Sequence, residues 1–108
     1  MGYYTLFIGA DSQYYFNLKA SNGETILRSE GYTTKQAALN GIESVRVNSP
    51  HDDRYERKTS SNNKPFFVLK ARNGEPIGVS EMYESVQARE NGIESVKRNG
   101  PTTDIREL

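Results

Sequence analysis

Phe16-Asn17-Leu18-Lys19-Ala20-Ser21-Asn22-Gly23-Glu24 occurs twice in this chain, the second time as Phe67-Val68-Leu69-Lys70-Ala71-Arg72-Asn73-Gly74-Glu75. Asn-Gly after an alternating apolar run is the strongest short hairpin signal. In the first repeat Phe16, Leu18 and Ala20 form one set of side chains, and Tyr15, Asn17 and Lys19 the other, which is the period of a strand. A two-residue loop would pair Leu18 with Leu27 and Leu69 with Gly78. A three-residue loop, with glycine in the left-handed region, pairs Leu18 with Ile26, Leu69 with Ile77 and Phe67 with Val79. Apolar cross-strand pairs stabilise a sheet face, and a one-residue slip turns every side chain over. The three-residue loop is therefore expected, with Gly23 and Gly74 at positive φ in a bulge. Alanine at either position should be costly, because it resists that backbone region.

Upstream of the first hairpin, Tyr3 to Ile8 is aromatic and β-branched and reads as a strand. Gly9 to Gln13 is turn chemistry. Downstream, Thr25 to Ser29 is a third strand, and Thr33 or Thr34 caps a helix from Lys35 to about Asn48. Ala38, Ile42 and Val45 give that helix a narrow apolar stripe. Gly41 lies inside it and recurs as Gly92. A mid-helix glycine costs about 1 kcal/mol relative to alanine, which calls for close approach of each helix to the sheet or to its twin.

His51-Asp52-Asp53 connects the halves, and Arg54 to Thr59 takes the place of the first strand. It is far more charged and reads as an exposed edge. From Pro65 the pattern restarts at a constant offset: Ser29 answers Ser80, Glu30 Glu81, Tyr32 Tyr83, Ile42 Ile93, Val45 Val96 and Asn48 Asn99. Residues 1–50 form repeat 1, 51–100 repeat 2, and 101–108 a polar, flexible tail without periodicity. Half a chain this size buries a sheet face and a helix poorly by itself. The expected fold is α+β: two tandem β-β-β-α repeats about a pseudo-two-fold axis, helices packed on a shared antiparallel sheet, in one domain.

The doubled pattern Phe-x-Leu-Lys-Ala-x-Asn-Gly-Glu, then Ile, Ser-Glu-x-Tyr and Gly-Ile-Glu-Ser-Val-[Arg/Lys]-x-Asn resembles the UPF0339 family, small bacterial proteins of the DUF1508 or YegP-like type. The chain looks like the duplicated subfamily, and the resemblance covers all but the tail. It implies two β-β-β-α repeats around a common antiparallel sheet, and single-repeat relatives that dimerise to complete the core. It carries no activity, ligand or catalytic residue across.

Composition narrows the function classes. The 108 residues carry 14 basic and 14 acidic side chains and no cysteine. That excludes a disulfide framework and a thiolate metal site. Balanced charge removes the electrostatic footprint of a nucleic-acid binder. No basic leader followed by an apolar run is visible, and no apolar stretch reaches membrane-spanning length. A cytoplasmic, monomeric protein with internal pseudo-dimer symmetry is expected.

His51, the only histidine, lies beside Asp52 and Asp53 without metal-ligand spacing, so the three read as a solvated connector. Lys19 and Lys70, Glu30 and Glu81, Tyr32 and Tyr83, and Asn48 and Asn99 come in symmetric pairs. Two-fold symmetry that joined Glu30 to Glu81 would make an acid–base pair; the plainer role is to meet the helix dipole. Tyr14-Tyr15 and Phe66-Phe67 each send one ring to the core, leaving one free for stacking on bases. No catalytic residue, metal or cofactor is expected. The expected function is a non-catalytic binding module whose partner is a protein held at an exposed edge such as Arg54 to Thr59. A ligand or active site on the pseudo-two-fold axis is the alternative, and weak RNA binding the second.

Overall fold

The computed structural model describes residues 1–108. Strands β1 (Tyr3–Ile8), β2 (Tyr14–Lys19) and β3 (Thr25–Arg28) are followed by helix α1 (Lys35–Asn48). After a 3-10 turn over Asp52–Arg54 come β4 (Tyr55–Thr59), β5 (Pro65–Lys70), β6 (Pro76–Val79), helix α2 (Val86–Asn99) and a short β7 (Ile105–Glu107). All seven strands form one sheet in the order β4-β5-β6-β3-β2-β1-β7. The fold is α+β, as the doubled hairpin implies, with both helices over one sheet.

The two halves meet at β3 and β6, antiparallel, with Arg28 opposite Val79. Each helix spans that seam: α1 lies against β2, β6 and β5, and α2 against β5, β3 and β2. One cluster of 15 buried residues runs through both repeats. Its aromatic parts are duplicated. Phe16 meets Tyr4 edge-on at 5.9 Å and Tyr32 stacked at 6.1 Å; Phe67 meets Tyr55 at 5.6 Å and Tyr83 at 6.3 Å in the same geometries. Such ring pairs add to the area they bury. Under the helix ends, the Tyr4 hydroxyl donates to the Gly100 carbonyl and the Tyr55 hydroxyl to the Ser49 carbonyl, both at 2.7 Å. Burial pushes both phenols well above the usual tyrosine range.

The helix starts follow the capping chemistry. The Ala37 N–H donates to Thr34 Oγ1 and the Ala88 N–H to Ser85 Oγ, each at 3.0 Å, which satisfies an orphan donor of the first turn. The mid-helix glycines admit a ring. A methyl group at Gly41 would meet the Tyr32 hydroxyl at 2.5 Å and Phe16 at 2.9 Å, and one at Gly92 would meet the Tyr83 hydroxyl. Close approach is thus to the tyrosine that leads into each helix, more than to sheet backbone or to the twin helix.

Three expectations need correction. The hairpin loops are three-residue: Ala20 N–H donates to Glu24 O and Ala71 N–H to Glu75 O, with Gly23 and Gly74 at φ +88°. Beyond them, however, the register shifts between Leu18 and Lys19 and between Leu69 and Lys70. Leu18 therefore faces Leu27, Leu69 faces Gly78 and Val68 faces Val79. A bulge allows neighbouring side chains to turn inward together, and Ile26 and Leu27 are both buried. Secondly, residues 101–108 are not a frayed tail. β7 lies parallel to β1, with Tyr4 N–H donating to Asp104 O at 2.8 Å and Leu108 N–H to Leu6 O at 2.9 Å. Thirdly, that strand makes the sheet mixed where an antiparallel one was expected.

Two substitutions test this packing by chemical denaturation. Gly23→Ala should lose about 1–2 kcal/mol from the left-handed backbone. Gly92→Ala should also destabilise, although helix propensity alone would gain about 1 kcal/mol; Tyr83→Phe, which removes the nearest atom, should recover part of the loss.

Candidate functional site

The two repeats diverge most at β4. Tyr55 keeps the place of Tyr4, but Glu56, Arg57, Lys58 and Thr59 stand where the first repeat has Thr5, Leu6, Phe7 and Ile8. On α2, Arg89 and Glu90 stand where α1 has Ala38 and Leu39. One end of the apolar core is thereby replaced by charge. Arg57 Nε donates to both Glu90 carboxylate oxygens at 3.0 and 3.1 Å, and Arg89 Nε reaches Glu90 Oε2 at 3.1 Å. Asp52 Oδ1 accepts from Lys97 at 2.8 Å and from Arg57 at 3.2 Å. The Lys97 and Arg57 hydrogen bonds hold the Asp52 carboxyl below the usual carboxylate range. The cluster pins the helix-facing side of β4 and leaves its outer edge bare.

That edge has free backbone groups. Arg57 lies opposite Phe67. Phe67 turns its own N–H and C=O the other way, to Ser80 Oγ at 2.9 Å and to Ser80 N–H at 3.0 Å. In an antiparallel ladder such a pair is non-hydrogen-bonded. The Arg57 N–H and C=O therefore point outward, past the last strand of the sheet. The corresponding residue in β1, Leu6, lies opposite Phe16, and its outward C=O accepts from the Leu108 N–H. Tyr55 differs from Tyr4 in one respect: its N–H already donates to the Asp52 carbonyl in the 3-10 turn.

The other candidate residues are placed as follows. His51 is exposed before the 3-10 turn, its N–H on Asn48 O at 3.0 Å. Asp53 pairs with Arg54 at 2.7 Å, and Asp52 with Lys97 and Arg57. No group of three or more histidine, aspartate or glutamate side chains converges to hold a metal. Glu30 and Glu81 are not brought together; each lies near the tyrosine of its own repeat. Burial first, then Glu81, pushes the Tyr83 phenol up to about 12. Asn48 and Asn99 are buried and donate to the carbonyls of Ser44 and Ser95 at 2.8 Å. Lys70 pairs with Glu56 at 2.7 Å, whereas Lys19 faces a repeat with Thr5 in that place.

The sheet face away from the helices holds a trough of about 490 Å³ at the β3–β6 seam, lined in part by Arg28, Glu30, Glu56, Lys58, Lys70 and Glu75. The hydrogen bond from Lys70 holds the Glu56 carboxyl below its usual range. Towards β1 the same face is aromatic: Phe7 and Tyr15 stack on each other at 5.8 Å, and the Arg106 guanidinium lies 3.8 Å over Tyr3. Those rings are engaged with partners of their own. No helix is long and apolar enough to cross a membrane.

The paired geometry is matched by known proteins. The family model described as a domain of unknown function, DUF1508, matches residues 10–56 and again 60–107. The chain belongs to that family. A UPF0339 protein of Shewanella oneidensis is 53% identical over 99% of this chain and 97% of its own length. The UPF0339 protein YegP of Escherichia coli K12 is 53% identical over 98% of this chain and 96% of its own. Solution NMR structures of a Shewanella oneidensis UPF0339 protein and of Escherichia coli YegP, the latter described as a protein of unknown function, each match with a TM-score of 0.93 at 53% identity. They are covered over 91% of their chains, and cover 99% and 98% of this one. Each matched unit starts in the turn before β2 or β5 and ends in β4 or β7. β7 thus closes the second unit as β4 closes the first.

The Asp52 tie has a sign in pH. A carboxyl whose folded pKa is depressed contributes stability above its unfolded pKa and loses it as pH falls through the folded one. Asp52→Asn should therefore be less stable than wild type at neutral pH. The difference should vanish as pH falls through the carboxylate range; urea denaturation of both proteins at several pH values reads it.

Proposed function

We propose that this protein is a non-catalytic interaction module, acting in the cytoplasm, that binds an extended segment of a partner protein along the outer edge of β4. The observation that carries the reading is internal to the molecule. β1 already holds a strand, β7, against the edge that β4 leaves open, through backbone hydrogen bonds. Strand addition draws its affinity from such main-chain bonds and its specificity from the side chains that flank them. The outward N–H and C=O of Arg57 supply the bonds. Lys58, exposed and without an ion-pair partner among the salt bridges, and the Glu56–Lys70 pair flank them.

The carboxylates in reach favour binding over catalysis. Asp52, Asp53, Glu56 and Glu90 are each held by a cation. Charged side chains also protect an edge from indiscriminate pairing, so the edge selects a partner whose charges answer its own.

The reading is tested by affinity capture from nuclease-treated lysate with three forms of the protein. Arg57→Ala removes the side-chain ion pairs and keeps the N–H; Arg57→Pro removes the N–H as well and breaks no bond to β5. A partner retained by wild type and Arg57→Ala but lost with Arg57→Pro supports the edge. Equal capture by wild type and Arg57→Pro overturns it.

A further inference from the structure

The two ends of the sheet are counterparts in all but occupancy. β1 and β4 each lie on the strand that follows, in the same register: Tyr4 and Leu6 face Leu18 and Phe16, and Tyr55 and Arg57 face Leu69 and Phe67. Outside β1 lies β7, parallel; outside β4 lies no strand. Applying the internal symmetry to β7 gives the geometry of a missing strand: parallel to β4, its residues set beside Tyr55, Glu56 and Arg57.

The charges of the two edge strands identify the sequence that fits there. On β1, β7 sets Ile105 beside Tyr4, Arg106 beside Thr5 and Glu107 beside Leu6. Its two charges thus flank a hydroxyl and an aliphatic side chain. The same register on β4 sets Ile105 beside Tyr55, Arg106 beside Glu56 and Glu107 beside Arg57. Each charge then has an opposite neighbour, Arg106 joining Lys70 at Glu56 and Glu107 joining Asp52 and Glu90 at Arg57, and opposite charges side by side favour strand pairing. Resting on the reading of β4 as a strand-accepting edge, we infer that its occupant is β7 of a second copy of this chain, laid parallel to β4 in that register.

The exchange leaves the core closed. All three residues of β7 are exposed on their own fold. Leaving β1 gives up its ladder, the Lys35–Glu107 ion pair and the stacking of Arg106 on Tyr3. On β4, the Arg57 carbonyl takes the part of the Leu6 carbonyl and accepts the Leu108 N–H. The bond that Tyr4 N–H gives to Asp104 has no equivalent, since the Tyr55 N–H is held by Asp52. With one ladder bond fewer, association is weak and concentration-dependent, in place of the fixed monomer that composition suggests. Two copies that exchange strands reciprocally close into a dimer.

A charge swap between the two strands tests this on the full chain. By sedimentation equilibrium over a concentration series, wild type should associate. Glu56→Arg and Arg106→Glu alone should each weaken association about tenfold, since each places like charges side by side. Their equimolar mixture should recover wild-type association as a heterodimer, because both contacts are then opposite in sign. Unchanged amide spectra of each variant establish that it folds. A wild-type chain that stays monomeric throughout, or variants whose mixture gains nothing, overturns the inference. If that happens while capture of another protein remains sensitive to Arg57→Pro, the edge reading stands and only the identity of its occupant falls. If self-association is seen and Arg57→Pro leaves it unchanged, β4 is not the edge and both fall.

Discussion

The seam between β3 and β6 is one registered pair long, Arg28 opposite Val79, and the fold is arranged around that shortness. A hydrogen bond contributes about 1 kcal/mol net, so a seam this short holds two half-sheets weakly. Burying an aliphatic side chain contributes about 1.5–3 kcal/mol, and Ile42, Val45, Ile93 and Val96 are all fully buried on helices that span the seam. The helices join the halves; the sheet records the joint. Each helix therefore needs a face that meets both repeats. This accounts for a narrow apolar stripe bearing a glycine, under which the aromatic ring of the preceding loop fits.

Much of this was legible in the chain because it is written twice. The hairpins, the helix from Lys35 to Asn48 with Thr33 or Thr34 as its cap (Thr34 in the structure), and the shared core rest on local signals that two independent segments repeat. The register error at Leu18 and Leu69 has a physical source. Ile26 and Leu27 are adjacent and both apolar, so alternation alone cannot say which of them faces Leu18. The structure buries both by inserting a bulge, which no period-two reading contains. The role of Tyr32 and Tyr83 was hidden for a similar reason. Beside Glu30 and Glu81 they look like a polar pair, and only their position under Gly41 and Gly92 shows them half-buried and packed against the core.

The candidate site was legible in part. The excess of charge over Arg54 to Thr59 marks an edge strand, and an edge is where it lies. The ion-pair cluster behind it is not readable from sequence spacing, since Asp52 and Arg57 meet Glu90 and Lys97 only when α2 packs on the sheet and the long side chains reach across. Helical spacing shows the Glu94–Lys97 pair and no more. Arg57 in the place of Leu6 and Arg89 in the place of Ala38 are one coordinated change: an arginine on the strand and another on the helix, both answered by Glu90.

The C-terminal strand shows why symmetry in a duplicated chain ends at its termini. Pro101, Asp104 and Glu107 stand at the same offset from Pro50, Asp53 and Glu56, so the tail repeats the connector and the start of β4. The unit matched by the family model runs through that strand in both halves. β4, closing the first unit, lies antiparallel on β5 of the second. By the same rule β7 should lie antiparallel on β2. That place is held by β1, which delivers Tyr4 and Leu6 into the core and a buried hydroxyl to the Gly100 carbonyl. At the position of Tyr4 the tail has Arg106, which no buried site there would satisfy. β7 keeps the direction that symmetry requires, antiparallel to β2, and is displaced outward by one strand. An extra strand at the start of the chain thus puts a supernumerary strand at one end of the sheet, while β4 at the other end keeps a bare edge. The polarity of the molecule follows from having one more first strand than it has hairpins to cover.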